Sequence, residues 1–181
     1  GAYVVLSQNW DNGAVADAGA VTWGSGDTGV SGVINATNSL VGGTADDMVG
    51  GYGVTALSNG AYVVSSPFWD NGAATDAGAV TWGSGATGVN GVVSVGNSLV
   101  GGTTNDRVGS NGITELSNGN YVVLSPYWGN GTLTDVGAVT WGSGTAGASG
   151  VVSAGNSLVG SAANDRVGDY DITTLSNGAY V

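Results

Sequence analysis

The chain has 181 residues, of which 41% are apolar and only 8% charged, with 36 glycines and neither cysteine nor histidine. Thirteen acids against two arginines, Arg107 and Arg166, leave a net charge of −11. That balance excludes the basic footprint a nucleic-acid backbone requires and disfavours anionic membrane surfaces. Without cysteine there is no disulfide framework and no thiolate metal site. No apolar run approaches the roughly 20 residues needed to span a bilayer as a helix, so membrane insertion is not expected. Cations, neutral glycans and other proteins remain as partners.

The sequence repeats every 59 residues. Gly1-Ala2-Tyr3-Val4 returns at Gly60, as Gly119-Asn120-Tyr121-Val122, and at Gly178, with offsets 60 − 1, 119 − 60 and 178 − 119. The units are 1–59, 60–118 and 119–177, and 178–181 opens a further one. A fixed period of this size marks a repeat architecture whose modules need neighbours.

Within one unit the elements follow in order. Tyr62–Ser66 reads as a strand and stops at Pro67, which cannot donate to a ladder. Trp69-Asp70-Asn71-Gly72 turns the chain. Gly78–Trp82 is the next strand, broken by Gly83-Ser84-Gly85. Val92–Ser94 and Ser98–Val100 are shorter candidates, ending at Gly101-Gly102. The polar loop Thr103–Asp106 leads to Val108-Gly109. Ile113–Leu116 then forms a hairpin with Tyr121–Leu124 through Ser117-Asn118-Gly119, where Asn-Gly favours a type I′ turn. The same turn recurs at Asn59-Gly60 and Asn177-Gly178. No segment has helical periodicity.

The expected class is therefore all-β, built of tandem antiparallel four-stranded repeats resembling β-propeller blades. A β-solenoid is the alternative, since 59 residues is nearly three coils of about 20. No echo at that shorter spacing appears, and the hairpin implies antiparallel pairing. Three blades are too few to close a ring of the usual four to eight or so. The chain starts and stops inside the same strand motif and carries no divergent caps. It is expected to be a segment of a longer array, or to join further copies or repeats.

Leu116-Ser117-Asn118-Gly119-Asn120-Tyr121-Val122-Val123, Asp76-Ala77-Gly78-Ala79-Val80-Thr81-Trp82-Gly83 and Asn97-Ser98-Leu99-Val100-Gly101 resemble tandem repeats of large bacterial filamentous-haemagglutinin-like exoproteins. The order of short strand, Asn-Gly turn and Tyr-Val-Val strand is also similar to kelch-type blades, although no Gly-Gly doublet follows the second strand. The exoprotein resemblance implies secretion, an extracellular or cell-surface location, and structural or adhesive work. It implies no catalytic residues.

Two tryptophan series recur in register, Trp10, Trp69, Trp128 and Trp23, Trp82, Trp141. Packing explains both, because repeat stacks reuse large aromatics at each interface. Sugar stacking is the functional reading. It favours Trp10, Trp69 and Trp128 as glycan-binding residues of a lectin-like propeller, because they sit in a turn, whereas the second series ends a strand and is expected to pack. Asp11 and Asp17, Asp70 and Asp76, and Asp135 alternate with turn glycines as calcium ligands do. Asx-turn capping explains them equally, and no other cofactor is expected. Asp47, Asp106 and Asp165 are expected in a solvated loop, next to Arg107 and Arg166 in two units.

Catalysis has few available parts. Without histidine, cysteine or lysine the usual nucleophile–base pairs cannot be built, and glutamate occurs once, at Glu115. The expectation is a non-enzymatic structural or adhesive repeat protein.

Overall fold

A computed structural model describes residues 1–181. It is all-β, with three sheets that match the three repeats. The first contains β1 (Ala2–Ser7), β2 (Ala20–Ser25) and β3 (Leu40–Val41). The second contains β4 (Val54–Ala56), β5 (Tyr62–Ser66), β6 (Ala79–Gly83) and β8 (Ser98–Val100). The third contains β9 (Ile113–Glu115), β10 (Tyr121–Ser125), β11 (Ala138–Gly142) and β13 (Ser157–Val159). Each is an antiparallel meander, and no barrel closes. The sheets are out of phase with the 59-residue units, because β4 and β9 come from the end of the preceding unit.

The remaining strands link the repeats. β7 (Gly91–Val92) lies parallel against β3, and β12 (Gly150–Val151) lies parallel against β8. The expected strand at Val92–Ser94 thus exists one residue earlier, and it adds to the sheet of the preceding repeat. The β3 and β8 edges are each covered by a strand of the next repeat, which shortens the exposed ladder that favours aggregation.

Strand alternation explains the stacking. Tyr62, Val64 and Ala79 point to one face of the second sheet and Val63, Val80 and Leu99 to the other. The first face packs on Val21 and Leu40 of the first sheet. The second packs on Tyr121, Val123 and Ala138 of the third. A sheet buried on both faces reads as a continuous apolar run, which is why Tyr62-Val63-Val64 has no polar member.

Two details set the register. Tyr62 stands opposite Gly83, and a Cβ on Gly83 would fall 2.2 Å from the tyrosine ring. The ring therefore lies over the glycine, and Tyr62 Oη accepts the Val89 N–H at 3.1 Å. Next to this pair, Thr81 and Ser98 satisfy each other's buried hydroxyls at 2.6 Å.

The hairpin turn differs from expectation. The Gly60 N–H reaches Leu57 O and the Leu57 N–H reaches Ala61 O. Only Gly60 is left-handed, at φ 87°, and Asn59 is not. This is a type I turn followed by a glycine bulge, the three-residue hairpin. Asn59 keeps ordinary φ because its Oδ1 accepts the Ala61 N–H at 2.9 Å.

Candidate functional site

The repeated structure makes the seam between successive repeats the principal site. Three kinds of contact build it. The first is tryptophan on glycine. Trp23 lies in the second half of β2, and its Nε1–H donates to Gly85 O of the next repeat at 3.2 Å. Trp82 does the same to Gly144 O at 3.1 Å. The facing loop must come close, and Gly88 and Gly147 permit it: a Cβ there would meet Trp23 and Trp82 at 2.5 and 2.6 Å.

The second contact is a buried carboxylate. Asp47 Oδ2 accepts the N–H groups of Gly43 and Thr44, both at 2.8 Å. Its Oδ1 accepts the Asp70 N–H of the next repeat at 2.9 Å. Asp106 repeats this, with Gly102 and Thr103 inside its own loop and Gly129 across the seam. Both carboxylates are buried. The solvated-loop expectation is thereby corrected: the loop wraps the carboxylate, whose backbone donors replace water. Gly-Thr followed by Asp three residues after the threonine is the signal that could have identified the cap. Burial pushes the Asp47 carboxyl above the ordinary aspartate value, against the lowering by its three accepted N–H groups.

The third contact is the parallel strand pair, where the Val93 N–H donates to Val41 O and the Val152 N–H to Val100 O, both at 3.0 Å. Side-chain links between hairpins add to it. Glu115 accepts the Ser58 N–H at 2.6 Å, and Asn59 donates to Gly144 O at 2.8 Å.

Both tryptophan series pack at the seams, and the sugar-stacking reading of the turn series meets buried indoles. Trp69 and Trp128 are buried in the cores between sheets, and Trp10 is half-buried. A turn that folds back against the preceding sheet places its indole inside, so Trp69 and Trp128 offer no face to a sugar. The strand-end series is the more open one, with Trp23 and Trp82 half-buried and Trp141 exposed.

The five aspartates of the calcium reading are occupied singly. Asp11 Oδ1 accepts the Asp17 N–H and Asp70 Oδ1 the Asp76 N–H, each at 2.9 Å. Asp17 takes the Asn9 side-chain amide. Asp76 pairs with Arg107 at 3.4 Å, and Asp135 with Arg166 at 3.7 Å. No three acids converge closely enough to hold a metal ion; the spacing reflects turn capping. Arg107 also lies over Phe68, and Arg166 over Tyr127, at 5.8 and 5.4 Å from the ring centroids. Such half-exposed pairs stabilise by about 1 kcal/mol or less.

Within residues 1–181 the outer faces of the first and third sheets carry the same seam residues, less buried than at the internal junctions. On the first sheet Tyr3 and Val5 are each 43% exposed, where Tyr121 and Val123 are fully buried. On the third sheet Leu158 is 67% exposed, where Leu99 is 1%. Asp165 keeps the loop bonds of its cap, to the N–H groups of Ser161 and Ala162, and is exposed.

No curated protein matches the sequence. Residues 1–51, 56–110 and 115–169 each match the family described as "Repeat of unknown function (DUF5650)", and the chain belongs to that family of tandem repeats.

Proposed function

We propose that the chain is a non-enzymatic structural or adhesive repeat array of the bacterial cell surface or extracellular matrix. One observation carries the structural part: the same seam, of like residues one 59-residue step apart, is used at both internal junctions. Such a module transmits its geometry from one repeat to the next. The extracellular and adhesive part rests on the exoprotein-like strings and on the lysine-free composition with only 8% charged residues. The non-enzymatic reading rests on the residue inventory, which lacks histidine, cysteine and lysine. The meander sheets stacked face to face support a blade-like description. The parallel strands between repeats are a solenoid-like element within it.

A length series tests the array. A chain extended by one further 59-residue unit is expected to unfold at higher denaturant than the 181-residue chain, because each added seam contributes. Equal midpoints would argue against it. Antibody labelling of intact cells tests location, and labelling only after permeabilisation would remove the surface assignment.

A further inference from the structure

We infer that Asn130 is a self-modification site. There the folded chain converts asparagine to aspartate and isoaspartate, through a succinimide closed by the backbone nitrogen of Gly131.

Asparagine followed by glycine occurs eight times in the chain. Closing the ring needs two groups free at once, the side-chain amide that is attacked and the glycine N–H that attacks. In five pairs the glycine is engaged: the N–H groups of Gly60, Gly91, Gly112, Gly119 and Gly178 donate to backbone carbonyls at 2.9, 3.0, 3.1, 2.9 and 3.1 Å. The other three pairs are one position of the repeat, Asn12, Asn71 and Asn130. Their glycines share a conformation, with φ of 66°, 63° and 64° at Gly13, Gly72 and Gly131, and none of the three N–H groups is hydrogen-bonded. The turn backbone is also shared, since the Asn71 N–H donates to Ala74 O at 2.9 Å and the Asn130 N–H to Leu133 O at 2.8 Å.

Side-chain pins separate the three turns. Asn12 Nδ2 donates to Gly42 O at 3.0 Å, and Asn71 Nδ2 to Gly101 O at 2.9 Å. Asp11 and Asp70 each cap the N–H six residues on, at 2.9 Å. The third turn has neither pin. Gly129 stands at the position of Asp11 and Asp70, so no carboxylate caps the Asp135 N–H. The Asn130 amide is exposed and unbonded, whereas Asn12 and Asn71 are half-buried. The acceptor itself is in place: the Gly160 N–H is bonded to Gly137 O at 3.2 Å, as Gly101 is to Gly78 O at 3.0 Å. The difference therefore lies in the turn and its sequence.

In the reaction Gly131 N bonds to Asn130 Cγ and gives its proton to solvent. The Cγ–Nδ2 bond breaks, and the amide nitrogen leaves as ammonia. Water then opens the ring at either carbonyl, and nothing is oxidised or reduced. Opening at the α-carbonyl leaves isoaspartate, whose main chain is one methylene longer. That extra atom adjoins Gly129, whose N–H is bonded to Asp106 across the seam at 3.0 Å. The modification thus acts on the junction of the second and third repeats.

The test holds the folded 181-residue chain at mildly alkaline pH and follows each asparagine by peptide mass spectrometry. Asn130 is expected to convert first, faster than Asn12 or Asn71 by roughly two- to tenfold for each missing bond, the range a net hydrogen bond supplies. In urea the eight pairs should convert at similar rates; a preference for Asn130 that persists there would overturn the structural cause. Gly129→Asp restores the cap, keeps both reacting residues and should slow Asn130. Asp70→Gly recreates the third turn's pattern in the second repeat, keeps the backbone N–H that Asp47 accepts, and should speed Asn71. The isoaspartyl chain should unfold at lower urea than the fresh one, and an unchanged midpoint would remove the effect on the junction. The proposal is overturned if Asn130 converts no faster than Asn12 and Asn71 in the folded chain, or if neither variant moves the rate of its own asparagine.

Discussion

Asp106 Oδ1 accepts the Gly129 N–H at 3.0 Å, and this one bond ties the loop of the second repeat to the turn of the third. The same oxygen takes the Thr103 hydroxyl, and Oδ2 takes the Gly102 and Thr103 N–H groups. Asp106→Ala leaves those donors without an acceptor in a buried loop. Unsatisfied buried donors cost about 1–3 kcal/mol each before any relaxation. Urea unfolding of Asp106→Ala should therefore show a clear drop in midpoint. Asp165→Ala, at an exposed loop whose cap makes no cross-seam bond, should show a much smaller one. Equal drops would remove the staple role from the seam.

Gly147 tests the closeness of the seam. It is left-handed at φ 76°, and a Cβ would sit 2.6 Å from the Trp82 Cβ. Gly29 has nearly the same φ, 72°, but its nearest neighbour is the Tyr3 hydroxyl at 3.7 Å. Alanine at either position adopts a left-handed residue at about 1–2 kcal/mol. Only Gly147→Ala also overpacks a seam, which adds about 1–3 kcal/mol. The difference between the two variants in denaturant unfolding isolates the packing contribution. A Gly29→Ala variant as unstable as Gly147→Ala would contradict the geometry.

The three environments of tryptophan should be separable by fluorescence. Trp69 and Trp128 are buried, Trp23 and Trp82 are half-buried, and Trp141 is 48% exposed. Replacing Trp141 by phenylalanine should remove the most acrylamide-accessible emission. Replacing Trp128 should remove emission that acrylamide barely reaches. The reverse order would mean that the turn series, not the strand-end series, faces solvent.

Much of the fold is readable from local pattern, because its strands are short and punctuated. Tyr62–Ser66 and Ser98–Val100 are bounded by Pro67, Asn97 and Gly101-Gly102, and they lie where the β-branched runs place them. What the pattern does not carry is which repeat a strand serves. Gly91–Val92 pairs with the preceding sheet, a relation set by stacking rather than by its own sequence. The same limit hides the burial of the turn tryptophans. A turn residue is expected outside, yet Trp69 turns inward because the preceding sheet covers it. Asp47 and Asp106 were hidden for a related reason: a polar residue among Gly, Thr and Asn reads as solvated until the loop is seen closing around its carboxylate. The αL backbones of Arg107 and Asp76, at φ 45° and 51°, also have no β-branched or glycine signal to announce them.

The capping carboxylates give the pH dependence two opposing parts. Burial is the largest influence on Asp47 and raises its pKa above the ordinary 3.8, while the charge of Asp70 adds to the rise. Asp165 is lowered, chiefly by the Ala162 and Ser161 N–H groups it accepts. A raised folded pKa contributes stability that is fully present below the unfolded value and is lost as pH rises through the folded one. A lowered folded pKa contributes stability present above the unfolded value and lost as pH falls through the folded one. Acidification from neutral pH should thus protonate Asp47 first, with a gain from its site, and Asp165 last, with a loss. Carboxyl-carbon NMR titration of the folded chain resolves the two directly. Asp47 is expected to titrate above 3.8 and Asp165 below it. Coincident midpoints would mean that the seam does not desolvate Asp47, and the account of a buried carboxylate joining two repeats would fail with it.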